Sequence, residues 1–365
     1  MAVSSLTGHN TVQTLSSYIE NSTPQQLLTS FFSVPAVGGI HNQDEVQYDS
    51  QVEDEVAAVP VNNSGSDYNL NDWSNFDREK VAPPVYKEGV EIPASKLGQL
   101  QVGQNIFDNV NFQQNGADLV GQSIVKLQNK IRRAMEIQAA QILTTGALNI
   151  KADATNSAYS VSFGIPDANF FNSSVAWSTT ASADPTSDIR SACALVPNAK
   201  YVIMDGASFV AAIKVATFLA NFQYPQAGTG LGVLRPGSPQ SPFGTMYMGD
   251  LIVGGQRLQV WTYDEGVKLY PGATSKTNFL VKKCIVMNDS RRDATFGGIP
   301  TFVNAPGAQR AFNLPTRITN RAQKLDVSIN SYIIRNETVF AGVGTRPLLI
   351  PRTKNGFACI STQLA

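Results

Sequence analysis

The longest regular pattern in the chain runs through residues 116–146. Val120, Ile124, Leu127, Ile131, Met135, Gln138 and Ile142 recur at steps of four, three, four, four, three and four. At about 100° per residue these positions stay on one side of a cylinder, which predicts a single amphipathic helix. Asn115 or Asp118 can cap its start, and Gly146 is a natural stop. With a rise of about 1.5 Å per residue it spans roughly 40 Å, longer than a typical globular helix. Lys126, Lys130 and Arg133 make a basic stripe nearly opposite the apolar one.

Upstream, Thr23-Pro24-Gln25-Gln26 has the form of a capping box with proline at the first helical position. It opens a short helix through Leu27, Leu28, Phe31 and Phe32, four apolar residues that need a surface to bury them. Residues 43–93 predict an extended hairpin. Its ascending arm sets Val46, Tyr48, Val52 and Val56 among carboxylates, and its polar tip carries Tyr68, Trp73 and Phe76. The descending arm contains Pro83-Pro84, which confines it to an edge or non-ladder position. A lone two-stranded hairpin is marginal in water, so the tip aromatics read as anchors on another subunit. The alternative is a long surface loop packed on its own domain.

After the long helix, weak alternation at 159–165 predicts strands. Asp184-Pro185 opens a helix to residue 195, and residues 200–204 form a buried strand. Residues 206–219 read as one helix with Phe209, Ile213, Ala216 and Leu219 on a face, followed by a Pro/Gly loop at 225–245. Residues 250–261 form a hairpin turning at Gly254-Gly255, and strands follow at 278–287, 324–335 and 348–350. Helices and strands mix without a βαβ repeat, so the class is α+β.

Charge changes this picture. The formal net charge is zero, which gives no global reason to expect nucleic-acid binding. Residues 1–77, however, hold ten carboxylates and no Lys or Arg, leaving 28 basic and 18 acidic groups in residues 78–365, a net of +10. An acidic leader on a basic body invites one to fold onto the other, within the chain or in a neighbour. Arg132 and Arg133 on the helix and Arg291 and Arg292 further on are the candidate partners.

Candidate chemistry is sparse. The only histidines are His9 and His41, both in the leader, so a Ser–His or Cys–His hydrolase lacks its base and a zinc site lacks its ligands. Cys193, Cys284 and Cys359 match no metal or redox spacing and fit a reducing environment. Gly228-Thr229-Gly230-Leu231-Gly232 and Gly342-Val343-Gly344-Thr345-Arg346 lack the strand–turn–helix context of a phosphate loop and read as flexible turns. Asp264 and Glu265 are adjacent, which in a strand sends them to opposite faces. The expectation is no catalytic residue, no cofactor, no metal and no enzyme. No signal-peptide pattern or bilayer-length apolar run is present, so no membrane partner is expected.

The order of parts resembles the lambda-type major capsid proteins of tailed phages. The resemblance rests on residues 23–32, the Pro83-Pro84 arm, the helix at 127–146 and the closing Gln363-Leu364-Ala365 of the terminal run that begins at Gly356. It implies a Hong Kong 97-type capsid fold with an N-arm (1–42), an E-loop and connection (43–105), and a P-domain with a spine helix (106–183). An axial A-domain (184–320) and return strands of the P-domain with the C-terminal segment (321–365) complete it. It also implies self-assembly as hexamers and pentamers into an icosahedral head enclosing double-stranded DNA, in a virion made in the host cytoplasm. A separate scaffold protein and a portal would be partners, since no charged helical extension precedes the N-arm. Phe31, Phe32, Tyr68, Trp73, Phe76, Arg132, Arg133, Arg291 and Arg292 are then the expected inter-subunit contacts. Lys126, Lys130 and Arg133 are alternatively DNA-facing, through loose, sequence-blind phosphate contacts. Lys80 and Lys87 lie on the E-loop stretch, but nothing assigns them a crosslink. A cellular nanocompartment shell of the same fold is the second reading, and a hydrolase the disfavoured third.

Overall fold

A computed structural model of the chain describes residues 27–36, 39–41, 45–51, 76–93, 95, 112–153, 155–224, 245–270, 272–297, 299–303, 317–321, 328–335 and 338–364. The capping box, Tyr68, Trp73 and all but the last residue of the Pro/Gly loop lie outside these residues, as does the side chain of Phe76.

In chain order, a 3-10 turn (Thr29–Phe31) precedes β1 (Ile40–His41), β2 (Val46–Gln51), β3 (Phe76–Val81), β4 (Tyr86–Pro93) and helix α1 (Phe112–Thr145). Next come β5 (Ala147–Lys151), β6 (Ser157–Ser162), β7 (Phe170–Asn172), α2 (Pro185–Leu195), β8 (Tyr201–Met204), α3 (Gly206–Ile213) and α4 (Ala216–Asn221). Then follow β9 (Phe222–Gln223), β10 (Thr245–Val253), β11 (Gln256–Tyr263), β12 (Gly266–Val267), β13 (Thr277–Asn278), β14 (Lys283–Met287) and β15 (Arg292–Gly297). The chain closes with β16 (Ile299–Val303), β17 (Arg317–Arg321), β18 (Ser328–Arg335), β19 (Thr338–Thr345), β20 (Pro347–Pro351) and β21 (Phe357–Ser361).

Helix α1 is the predicted helix, extended to 34 residues and about 51 Å long. Gly146 ends it at φ +68°, where a Cβ would meet the Phe170 ring at 3.0 Å. Its predicted stripe faces inward along its length: Val120, Ile124, Ile131, Gln138 and Ile142 are buried, and Leu127 and Met135 are partly buried. Gln138 joins an apolar stripe because its amide donates to the Tyr86 hydroxyl at 2.9 Å.

The first half of α1 packs Ile124 and Ile131 on Ile92 and Val343 of a sheet ordered β18-β19-β4. The second half, through Ala139, Ile142 and Leu143, covers one face of a seven-stranded sheet ordered β7-β21-β14-β8-β11-β10-β9. The other face of that sheet is covered by α2, α3 and α4. Strand alternation sorts the residues: Ile203, Ile285 and Cys359 face α1, whereas Val202, Met204, Val286 and Ile360 face α2–α4. A sheet buried on both faces explains why its strands read as unbroken apolar runs.

Three expectations change. Pro83-Pro84 occupies the non-ladder position expected of it, but the hairpin does not continue beyond it. Val46 to Gln51 pairs with Phe76 to Val81, but beyond the prolines β4 crosses to pair with β19. The helix predicted over 206–219 is two helices, because the chain turns at Lys214 to send Val215 and Phe218 into the core. Ala216 and Leu219 are exposed instead. The terminal run carries a further strand, β21, inside the large sheet between β7 and β14. The Gly254-Gly255 hairpin forms as read, with both glycines at positive φ.

Candidate functional site

Glu136 stands one position off the apolar stripe, on a stretch of α1 that is enclosed on several sides, and is itself buried. Its carboxylate accepts from the Leu28 N–H at 2.8 Å, the Thr29 N–H at 3.0 Å, the Thr29 hydroxyl at 2.5 Å and the Tyr263 hydroxyl at 2.9 Å. The 3-10 turn at Thr29–Phe31 has no cap within its own sequence, so α1 supplies one from 107 residues away. One side chain thus joins the N-terminal segment, the long helix and β11. Burial holds the Glu136 carboxyl above the usual range, and its four donors pull it back.

The surface that Leu27, Leu28, Phe31 and Phe32 require is in their own chain. Leu27, Leu28 and Phe32 are buried in the main core, and Phe31 packs edge-on against Tyr201 with centroids 5.3 Å apart. The segment then runs beside β15: Ser33 bridges Asp293, and β1 pairs in parallel with Phe296 and Gly297.

The arginines predicted as a basic pair separate. Arg292 is buried, and its guanidinium donates to the carbonyls of Asn288, Ser290 and Gly356, at 2.7 Å to the last. Burial lowers its pKa to about 10. It is therefore a staple between two loops of one subunit, which corrects its reading as a partner for a neighbour's carboxylates. Arg291 points outward and donates to the buried Asp293 carboxylate at 3.0 Å. Asp293 also accepts from Arg352 at 2.6 Å, and Arg352 reaches the Asp49 carbonyl at 3.2 Å.

That last contact belongs to the root of the hairpin arm, which is fastened at several points. The Tyr48 hydroxyl donates to Glu79 at 2.5 Å, and Arg78 pairs with Asp49 at 2.8 Å. Around the prolines, Tyr159 donates to the Ala82 carbonyl at 2.7 Å and Arg346 to the Pro83 carbonyl at 3.1 Å. Beyond the pair Gln51–Phe76 lies the stretch 52–75, which includes Tyr68 and Trp73.

The basic stripe is exposed, as predicted, and lines a groove of about 1180 Å³ along the outer side of α1. Ala134 and Ile137 of the helix line it, together with Tyr86 and Glu88 of β4 and Ile150 and Lys151 of β5. Residues 265–270, 272–274 and Lys276 line it as well, which adds Lys268 and Lys276 to Lys126 and Arg133. Lys130 pairs with Glu88 at 2.6 Å. Glu265 is raised by partial burial, an effect that Arg133 and Lys276 oppose. Six exposed cations and two carboxylates thus line the groove among partly exposed apolar side chains.

Sequence reasoning found the cations on α1 but missed Glu136, Lys151, Lys268 and Lys276. For Glu136 a signal existed: a carboxylate just ahead of Ala139, Ala140, Ile142 and Leu143 sits where a helix is apolar on more than one side. The cysteines carry no activation, since burial pushes Cys193 up to about 11 and Cys359 up to about 12. Among the described residues no group of His, Cys, Asp and Glu converges to hold a metal, and no helix is long and apolar enough to cross a membrane.

A family model described as phage major capsid protein E matches residues 11–311. No curated protein sequence matches the chain. Among solved structures, a protein assigned as a prophage capsid protein of E. coli CFT073 is similar over 96% of this chain and 98% of its own, with TM-score 0.61 and 13% identity. A phage-related protein of Bordetella bronchiseptica RB50 is similar over 95% of both chains, with TM-score 0.50 and 11% identity.

Proposed function

The chain belongs to the phage major capsid protein E family, and from that premise we propose that it builds the icosahedral head of a tailed phage around double-stranded DNA. It is a capsid subunit, and its α+β architecture is the Hong Kong 97-type capsid fold. Copies pack as hexamers and pentamers in the virion, after synthesis in the host cytoplasm with a separate scaffold and a portal. The N-arm is the segment held by Glu136 and β15. The E-loop is the β2–β3 hairpin, the P-domain is built on α1, and the A-domain is the seven-stranded sheet with α2–α4.

The observation that carries the assembly reading is the way the arm is held. Its root is fixed by Arg352, Tyr159 and Arg346, so anything the tip contacts is transmitted to the subunit body. Its tip sequence supplies Tyr68 and Trp73 to a contact with a neighbour. The exposed Val210, Leu219 and Tyr224 offer a second apolar contact at the α3–α4 end of the large sheet.

Electron microscopy of the expressed chain tests this reading: closed shells are expected, and a protein that stays monomeric under assembly conditions would overturn it. Deleting residues 63–77 should leave a folded subunit that assembles poorly. Normal shells from that variant would remove the arm from assembly.

A further inference from the structure

Two segments of this chain that lie far from β15 in sequence are fastened to one of its residues, Asp293. The N-terminal segment is fastened through the backbone. The Ser33 N–H donates to the Arg292 carbonyl at 2.9 Å, and the Ser33 carbonyl accepts from the Ala294 N–H at 2.8 Å. Ser33 thereby occupies both peptide planes that flank Asp293, so Asp293 cannot turn without disturbing that bridge. On its other side Asp293 pairs with Ile350 of β20.

The root of the hairpin arm is fastened to the same residue through its side chain. The Asp293 side chain is 1% exposed, and its carboxylate pairs with Arg352 at 2.6 Å and with Arg291 at 3.0 Å. Arg352 donates a second N–H to the Asp49 carbonyl at 3.2 Å, and its guanidinium lies 6.0 Å from the centroid of the Tyr48 ring. Arg352 cannot follow a displaced arm root without leaving a buried carboxylate short of its closer cation. That state is costly unless Asp293 turns as well.

We propose that Asp293 couples the two segments: displacement of the arm root loosens the chain at Ser33 from β15, and release at Ser33 loosens the arm root. The coupling belongs to the single subunit. Its use in a shell, where a neighbour that bends the arm would loosen the N-terminal segment of the same copy, rests on the capsid reading above.

Amide hydrogen exchange on the full-length, dissociated subunit tests it, with rates expressed as protection relative to the unstructured chain. Ser33→Pro removes the Ser33 donor, and the extended backbone of Phe32 (ψ 120°) accepts a proline after it. In this variant the protection of the Tyr48 and Ser50 amides should fall about fivefold or more, while that of Ile285 in β14 stays unchanged. In a chain that also carries Arg352→Gln the arm root is already uncoupled, so Ser33→Pro should add nothing there. Asp293→Asn in place of Arg352→Gln should have the same effect.

Unchanged protection of Tyr48 and Ser50 in Ser33→Pro would overturn the coupling. So would a fall that persists undiminished beside Arg352→Gln, which would route the effect elsewhere. A fall shared equally by Ile285 would also overturn it, as a general loss of stability. A wild-type chain that forms no shells would instead overturn the capsid reading, and the exchange results would still decide the coupling.

Discussion

Glu136 is held by two backbone N–H groups and two hydroxyls, none of them a cation. Burial therefore dominates its ionisation and raises its carboxyl. A folded-state value above the unfolded one means that the folded chain keeps the proton longer. Its stabilising contribution is then complete below the ordinary 4.5 and is lost as pH rises through the raised value. Glu136→Gln cannot titrate. The stability of the wild type relative to this variant should thus fall with rising pH across that window and level off beyond it. Denaturant midpoints of the dissociated subunit measure this, and a difference that stays constant with pH would refute it. The two neighbouring arginines give a second contrast. Arg292→Ala strands buried carbonyls and should cost about 2–4 kcal/mol. Arg291→Ala, at a largely exposed side chain, should cost less than about 1 kcal/mol. Equal losses in urea unfolding would show that the burial assignment is wrong. Sequence alone read them as one basic pair. Strand alternation sends adjacent residues to opposite faces, but which face is inward depends on Gly356 and Asn288, and nothing local announces those contacts.

Elements whose evidence is local were legible, and those whose partners are distant were not. The stripe of α1 and the Gly254-Gly255 turn each carry their instruction within a few residues. The Pro83-Pro84 break was visible, yet the destination of β4 was not, because its partner β19 lies some 250 residues later. The division of residues 206–219 was hidden for another reason: the apolar positions continue across Lys214, and only the demand for Val215 and Phe218 in the core reveals the turn. The face of α1 gives the element-scale prediction. Ile131 is 2% exposed and packs with Ile124 and Val343, so Ile131→Asp places an unpaired charge in that core. The expected cost is roughly 3–5 kcal/mol, against less than about 0.5 kcal/mol for Lys126→Ala on the outer face. Thermal melting of the two variants decides it, and wild-type stability in Ile131→Asp would mean that the buried face is misassigned.

At the scale of the whole molecule, the division of charge makes the subunit incomplete by itself. Residues 1–77 have no cation of their own, and in the described part of this leader Asp49 is paired with Arg78, the first cation of the chain. The body carries its excess on the exposed rim of the groove, where the cations outnumber the carboxylates by four. Phe32 is buried inside the subunit and Phe31 packs partly against the same core, which leaves little of this segment as an apolar drive for association. On an electrostatic reading, which we propose, contact between copies leans on many weak pairs, each worth about 0–1 kcal/mol, so no single bridge matters and the repeated sum does. Salt acts on that sum directly. The Debye length falls from about 10 Å at 0.1 M to about 3 Å at 1 M, less than the spacing of most of these charges. The initial rate of assembly, followed by light scattering, should therefore fall steadily as sodium chloride is raised over that range. Sodium sulfate gives the sharper comparison, because it screens charge while strengthening apolar burial. If the exposed apolar end at Val210, Leu219 and Tyr224 drove association instead, sulfate would accelerate assembly and chloride would leave it unchanged. A rate that is flat or rising in chloride would sink the electrostatic account, and one that falls in both salts would place the drive on the charges of the arm and the groove.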